Sequence, residues 1–176
     1  LMFQEFSKHI QREHVQTTLV EVWIFPGISS KSRSTALALS KFWASFHLFD
    51  ASCAYAGIVA LTLCDKVLLL ISAHIPHDGH EHQLDDVLET MDELVLTCID
   101  KARAYGIERH NVLLIGGADL NQDMRDSYSA RGCALLSWLE SHGCALIFPN
   151  NHKLVSHNHW HHSNESLIDW FWASKS

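Results

Sequence analysis

The clearest periodic pattern in the chain predicts a helix. Apolar residues recur at three- and four-residue intervals between Leu84 and Ala102, which is the spacing of one helical face. Asp78 is placed to cap this helix, with Glu81 three residues later as in a capping box, and Gly106 is placed to end it. Packing against a core explains such a stripe better than a partner-binding face does. We therefore predict that this helix covers a sheet.

A long apolar stretch, residues 54–73, predicts a hairpin of two strands, 57–63 and 67–73. A charged pair at 65–66 interrupts the stretch where charge is costly in a bilayer, so a membrane span fits less well. The continuous apolar run Val112–Ile115 is typical of a strand that is buried on both sides. The other predicted elements are a short strand ending at Gln4-Glu5, a weak helix after Ser7, strands over 20–25, 35–39, 45–49, 145–148 and 167–172, and a helix over 130–142.

This succession of elements contains no repeat and no linker, so it predicts one domain over residues 1–176 in which packed sheets are covered by helices. Hydrophobic residues make up 47% of the chain, which is enough for a core. The net charge of −7 argues against a protein that coats nucleic acid, because phosphate neutralisation needs clustered Lys and Arg. It does not exclude a nuclease, since a catalytic cation site needs carboxylates.

The five cysteines are odd in number and show no CxxC spacing, which argues against a zinc or redox site. Most lie in apolar runs, so we interpret them as reduced core residues of an intracellular protein, with the nucleus as one candidate compartment. The start of the chain lacks the pattern of a signal peptide, and because it begins with Leu1 we expect further chain upstream. The five are Cys53, Cys64, Cys98, Cys133 and Cys144.

Polar side chains follow or interrupt three of the apolar strands. Asp119 and Asn121 follow Val112–Ile115 through two glycines that permit a close backbone approach, and they point the same way if strand geometry persists. His74 ends the hairpin, and Asp169 interrupts the last strand, where a buried carboxylate needs a partner. A polar turn after the strand and a structural histidine are the alternative interpretations. Each feature alone is weak evidence for a catalytic site, so we interpret the features together.

The order of four motifs, Gln-Glu, His-x-Pro, Gly-Ala-Asp-Leu-Asn and Ser-x-Ile-Asp-Trp, resembles the endonuclease/exonuclease/phosphatase superfamily. The layout of the last two motifs is most similar to the endonuclease domains of non-LTR retrotransposons. The resemblance extends from Gln4 to Ser174. It implies an α+β fold, a four-layer α/β/β/α sandwich with two packed, mainly antiparallel sheets that is incomplete at the termini here.

The resemblance also implies a role for each motif residue. Glu5 matches the family's metal-binding glutamate, and His74 matches a position near the scissile phosphate. Asp119 matches the aspartate that activates or positions the attacking water, and Asn121 the asparagine that holds the phosphate. Asp169 matches the aspartate that orients a catalytic histidine. The implied reaction is in-line attack of water on a DNA phosphodiester with Mg²⁺ or Mn²⁺ as cofactor.

Two departures from the family pattern bear on activity. The family begins with an Asn-bearing strand and ends with a Ser-Asp-His strand, and neither motif occurs in these 176 residues. His159-Trp160 stands where the family often has Thr-Trp, which makes His159 a candidate substrate contact. We therefore expect a fragment whose own activity is open, fused to a reverse transcriptase in the full-length gene. The alternatives are a non-catalytic remnant of a mobile element, or a phosphatase or sphingomyelinase of the same fold.

A histidine-rich segment precedes the last motif. His157, His159, His161 and His162 alternate closely enough to suggest zinc ligands, but no cysteine or carboxylate is placed to complete such a site. We therefore predict a polar, solvated loop.

Overall fold

The computed structural model describes residues 2–6, 13–27, 34–76, 81–125, 129–147, 157–158, 165–166 and 169–175, and within these it describes the backbone alone for 2–6, 81–83, 157–158 and 165–166. The strands are β1 (Met2–Phe6), β2 (Glu13–Gln16), β3 (Val20–Phe25), β4 (Ser34–Ser40), β5 (His47–Ser52), β6 (Ala56–Leu63), β7 (Lys66–His74), β8 (Val112–Asp119), β9 (Cys144–Ile147), β10 (His157–Asn158), β11 (Glu165–Ser166) and β12 (Asp169–Ser174). The helices are α1 (Lys41–Ala44), α2 (Glu81–Ala104) and α3 (Ala130–Ser141), with a 3₁₀ turn at Arg109–Asn111.

Two sheets pack face to face. One has six strands in the order β5-β6-β7-β8-β12-β9, and the other has four in the order β1-β4-β3-β2. Neighbouring strands of these two sheets run antiparallel, except β7 and β8, which run parallel and are joined through α2. A parallel pair needs such a crossover connection. The prediction of an α+β sandwich with two packed, mainly antiparallel sheets is confirmed.

The core has two apolar layers, because successive strand residues face opposite sides of a sheet. Between the six-stranded sheet and the helices lie β7 residues such as Leu69 and Ile71, packed near Val95 and Cys98 of α2. Between the two sheets lie side chains of both, including Trp23, Phe25, Leu37, Val59 and Leu61. The apolar stripe of α2 is buried throughout the described part of the helix, as predicted.

The predicted hairpin is present as β6 and β7, and residues 54–73 do not form a helix. Cys64 lies in the turn of this hairpin and has the left-handed φ of 57° that tight turns require. Gly106 follows α2 with φ 80°, as expected for a residue that ends a helix. Within the ranges given above, no helix is both long enough and apolar enough to cross a membrane.

Some predicted elements differ from the structure, and others fall on residues that are not described. The strand predicted over 45–49 begins at His47, because residues 41–44 form a helical turn whose N-terminus is capped by the Ser40 hydroxyl. The predicted histidine-rich loop contains a short ladder, in which 157–158 pair with 165–166. The helix predicted after Ser7, and the cap at Asp78, lie outside the described residues.

The cysteine prediction is correct for part of the set. Cys98 and Cys144 are buried, and burial raises the pKa of the Cys98 thiol to about 11, which disfavours the reactive thiolate. Cys53 is half-buried. Cys64 and Cys133 are exposed, one in the hairpin turn and one on the outer face of α3, so they are not core residues.

Among the described residues, one face of the six-stranded sheet carries exposed apolar side chains. The main contacts of the four-stranded sheet are with β6 and β7, and β1 reaches β8. Farther along the same face, Ile115 is 36% exposed, and the facing pair Phe171 and Ile147 are each 52% exposed. The prediction that Val112–Ile115 is buried on both sides is therefore wrong at Ile115.

We predict that this uncovered apolar row promotes self-association, because exposed apolar sheet faces are association sites. The double substitution Phe171→Thr and Ile147→Thr should lower the average mass in sedimentation at high protein concentration, since threonine keeps strand propensity while removing apolar area. Leu96→Gln, on exposed α2 surface, is the control and should leave the mass distribution unchanged. Equal association of the double variant and the wild type would contradict this prediction.

Candidate functional site

Three of the predicted site residues form one row across three adjacent strands. His74 is the last residue of β7 and lies in register with Asp119, the last residue of β8. Asp119 in turn lies opposite Asp169, the first residue of β12. Strands are spaced about 4.8 Å apart, so the row is roughly 10 Å long. Residues directly opposite each other share a sheet face, so the three side chains emerge on the same side.

The row runs from the interior to the surface. His74 and Asp119 are 4% and 7% exposed, whereas Asp169 is exposed. By strand alternation they belong to the face that also carries Phe171, the face opposite the helices. Two carboxylates that directly face each other repel, so Asp119 and Asp169 favour a neighbouring cation or protonated imidazole. The site therefore has an open, negatively charged end and a closed end at His74.

The segments that follow β7 and β8 are joined by hydrogen bonds. The backbone N–H of Ile75 donates to the Asp119 carbonyl at 2.9 Å, and the Asn121 side-chain amide donates to the Ile75 carbonyl at 2.8 Å. The backbone N–H of Asn121 donates to Oδ1 of Asp119 at 2.9 Å, which fixes the orientation of that carboxylate. An Asn side chain has two N–H donors, so one remains for a ligand.

The extended geometry that would have aligned Asp119 with Asn121 is not kept. β8 ends at Asp119, and Asn121 has φ 48°, in the left-handed region that Asn tolerates better than most residues. The chain therefore forms the polar turn that was the alternative interpretation of this motif. That turn brings the Asn121 side chain to the Ile75 carbonyl and the Asn121 N–H to the Asp119 carboxylate.

Gly116, the first of the two glycines before Asp119, makes room for a neighbouring side chain. A β-carbon built on Gly116 would lie 2.1 Å from the Trp172 ring, so the glycine makes room for a tryptophan on the neighbouring strand. Trp172 is buried, and it meets Trp138 of α3 edge to face at 6.3 Å between ring centroids. Gly116 thus lets the Trp172 ring pack over β8.

Backbone topology brings Glu5 to the same end of the sandwich. The residue before Glu5 pairs with Thr35, and Thr35 pairs with Phe25. The Phe25 ring lies so close to Gly57 that a β-carbon there would be 1.8 Å from it, and Gly57 pairs with Ser72, two residues before His74. β1 also contacts β7 and β8. The ladder between β1 and β4 shifts register at Glu5, a feature of the kind that redirects side chains near active sites.

The donor chemistry of the site fits a hard cation, because Asp119, Asp169 and Asn121 offer oxygen atoms. In the described part of the chain, no three His, Cys, Asp or Glu side chains are arranged to hold a metal ion. Glu5, the predicted ligand, belongs to the residues with a described backbone alone, and His159 lies outside the described residues. The catalytic and metal-binding roles of all these residues remain predictions.

Three polar residues, two of them buried, were not found from the sequence. Ser72 is fully buried on the same face of β7 as His74, and Thr35 is 2% exposed on β4. Arg131, in the first turn of α3, donates to backbone carbonyls in both segments that directly follow β7 and β8. No local pattern marks these residues, since their contacts come from strand pairing and from the docking of a helix.

Comparison with solved structures identifies the fold. No family model matches the chain, and no curated protein matches it. The endonuclease domain of TRAS1, a telomere-specific non-LTR retrotransposon, superposes with a TM-score of 0.56 at 15% identity over 88% of this chain. The human nocturnin catalytic domain with bound sulfate superposes with a TM-score of 0.55 at 12% identity over 89% of this chain. D. rerio TDP2 complexed with single-stranded DNA product superposes with a TM-score of 0.50 at 13% identity over 89% of this chain.

The chain therefore has the endonuclease/exonuclease/phosphatase fold, as the motifs predicted. It spans 67%, 60% and 62% of the lengths of these three neighbours, respectively. At such low identity the likeness concerns the fold and does not extend to the chemistry of the site.

The polar turn after β8 yields a stability prediction. Asn121→Ala should lower the free energy of unfolding by about 2 kcal/mol, since it removes a hydrogen bond and places alanine at positive φ. Asn121→Gly should cost less, because glycine adopts positive φ freely and only the hydrogen bond is lost. Urea unfolding of the two variants measures the difference. Equal stability of Asn121→Ala and the wild type would show that the turn is not held as described.

Proposed function

We propose that this chain, which has the endonuclease/exonuclease/phosphatase fold, is part of a metal-dependent phosphodiester hydrolase, the DNA endonuclease domain of a retroelement. The observation that carries the proposal is the row of His74, Asp119 and Asp169, with Asn121 held beside it. The proposal treats residues 1–176 as one domain of an intracellular protein, and it extends to a reverse transcriptase elsewhere in the same polypeptide.

The chemistry that the row supports is attack of water on phosphorus. Asp119 is buried and its carboxylate accepts the Asn121 N–H, so the carboxylate has a fixed orientation from which to hold or deprotonate a water. The remaining N–H of Asn121 is available to a phosphate oxygen. His74, at the closed end of the row, is placed to bond a phosphate oxygen or protonate the leaving oxygen.

A divalent cation supplies the charge neutralisation that a phosphate needs near two carboxylates. Mg²⁺ or Mn²⁺ fits the oxygen donors, with Glu5 as the assigned ligand on β1. Asp169, at the exposed end of the row, is assigned the orientation of a catalytic histidine, the role that its motif implies. DNA as the substrate class is supported by two neighbours, TRAS1, which is an endonuclease domain, and TDP2, which is complexed with a single-stranded DNA product.

The test uses protein extended to include a Ser-Asp-His segment. It should cleave plasmid DNA with Mg²⁺ or Mn²⁺ and stop on chelation. Asp119→Ala should lower the rate by about three orders of magnitude, as is usual when one group of a concerted set is removed. Asp100→Ala, a solvent-exposed carboxylate on α2, should cleave at the wild-type rate. Activity that persists in EDTA, or that survives Asp119→Ala, would refute the proposal.

The 176 residues by themselves should cleave little or not at all. Glu5 is the one assigned metal carboxylate among them, and no histidine is assigned as the partner of Asp169. Groups that act as a unit lose most of their effect when any one is missing. The assay is plasmid cleavage with Mg²⁺ beside the Asp119→Ala variant. Robust cleavage by the unaltered chain and none by the variant would show that a local residue replaces the missing groups.

A further inference from the structure

We propose that Arg131 is a positioning residue. It links the two loops of the site, which are the segments that directly follow β7 and β8, to each other and to α3. This inference rests on the proposed function for its catalytic consequence. The contact itself is independent of that function. Nη2 of Arg131 donates to the Pro76 carbonyl at 2.9 Å and to the Leu120 carbonyl at 3.0 Å.

These two carbonyls lie directly beyond the row. Pro76 is two residues after His74 at the end of β7, and Leu120 follows Asp119 at the end of β8. One guanidinium nitrogen therefore bridges the segment that carries the histidine and the segment that carries the carboxylate. The bond from Asn121 to Ile75 is a second link between the same two loops.

The placement of Arg131 breaks a local rule of helix electrostatics. A cation in the first turn of a helix opposes the helix dipole, and α3 has no acidic residue in that turn to offset it. The helix start is already capped, because the Gly132 N–H donates to the Ser129 hydroxyl at 3.0 Å. The start of α3 therefore does not require an arginine, whereas the bonds of Arg131 reach both segments of the site.

The residue type also matters. Guanidinium is a planar fork with five N–H donors and a permanent charge, so it can hold two carbonyls in fixed directions. Charge-assisted hydrogen bonds of this kind are stronger than neutral ones. A lysine offers a single nitrogen on a flexible stem and should hold the loops less firmly. Glutamine has neither the length nor the charge.

Loss of the Arg131 contacts should increase the mobility of the row residues while the sheet stays folded. The Asp119 carboxylate is oriented by the Asn121 N–H, so movement of the loop after β8 turns the carboxylate. A displacement of about 1 Å in a reacting group can cost about a hundredfold in rate. Substrate affinity should change little, because Arg131 bonds to backbone carbonyls and is not assigned a contact with DNA.

The test is amide hydrogen exchange followed by NMR on the 176-residue chain. Arg131→Gln should speed exchange at Ile75 and Asn121 about tenfold, while Ile71 and Leu114 at the strand centres keep their rates. Arg131→Lys should give an intermediate effect. Arg103→Gln, which removes an exposed arginine of α2, is the matched control and should leave all four amides unchanged.

The same variants in the extended protein separate the two hypotheses. If the wild type cleaves DNA, Arg131→Gln should lower kcat about a hundredfold with KM within about twofold. If the wild type does not cleave, the proposed function fails, and the exchange result still decides the role of Arg131. Unchanged exchange at Ile75 and Asn121, or a uniform rise at all four amides, overturns the proposal. Should Arg131→Gln not fold, the same criteria apply to Arg131→Lys.

Discussion

The parallel pairing of β7 with β8 is the constraint on which the candidate site depends. A hairpin between them would send their carboxyl ends to opposite edges of the sheet. The crossover through α2 brings both ends to one edge, so His74 lies in register with Asp119. β12 then runs antiparallel to β8 and starts at that same edge, which adds Asp169 to the row. Three residues far apart in sequence thus meet through backbone pairing alone.

Apolar packing on the helix side of the sheet gives that row its fixed geometry. Trp172 fills the space above Gly116, and a larger residue at position 116 would displace the Trp172 ring. The same tryptophan meets Trp138 of α3, and α3 carries Arg131 to the two loops. Packing, helix docking and loop geometry are therefore coupled, and a substitution at Gly116 should shift the position of Asp169. The opposite face lacks such cover at Phe171 and Ile147.

Sequence periodicity predicted the elements that are long and regular. The apolar stripe of α2, the β6–β7 hairpin and the apolar run before Asp119 each carry a strong local signal, and the four motifs predicted the fold. The features that the sequence did not predict depend on tertiary arrangement. The exposure of Ile115 depends on how the rest of the chain packs on its sheet face, and the role of Arg131 depends on carbonyls from two segments that are distant in sequence. The helical turn at 41–44 is too short to show a period.

The central claim is that the edge defined by His74, Asp119 and Asp169 binds a divalent cation and phosphate. Paramagnetic broadening by Mn²⁺ tests it most directly, because it reports distance to the ion whether or not the chain cleaves DNA. At substoichiometric Mn²⁺, the amide signals of residues 73–75, 118–121 and 169–170 should broaden first, and inorganic phosphate should strengthen the effect. Broadening centred at the opposite end of the sheets, near Leu19 and Phe42, or none at all, would contradict the account.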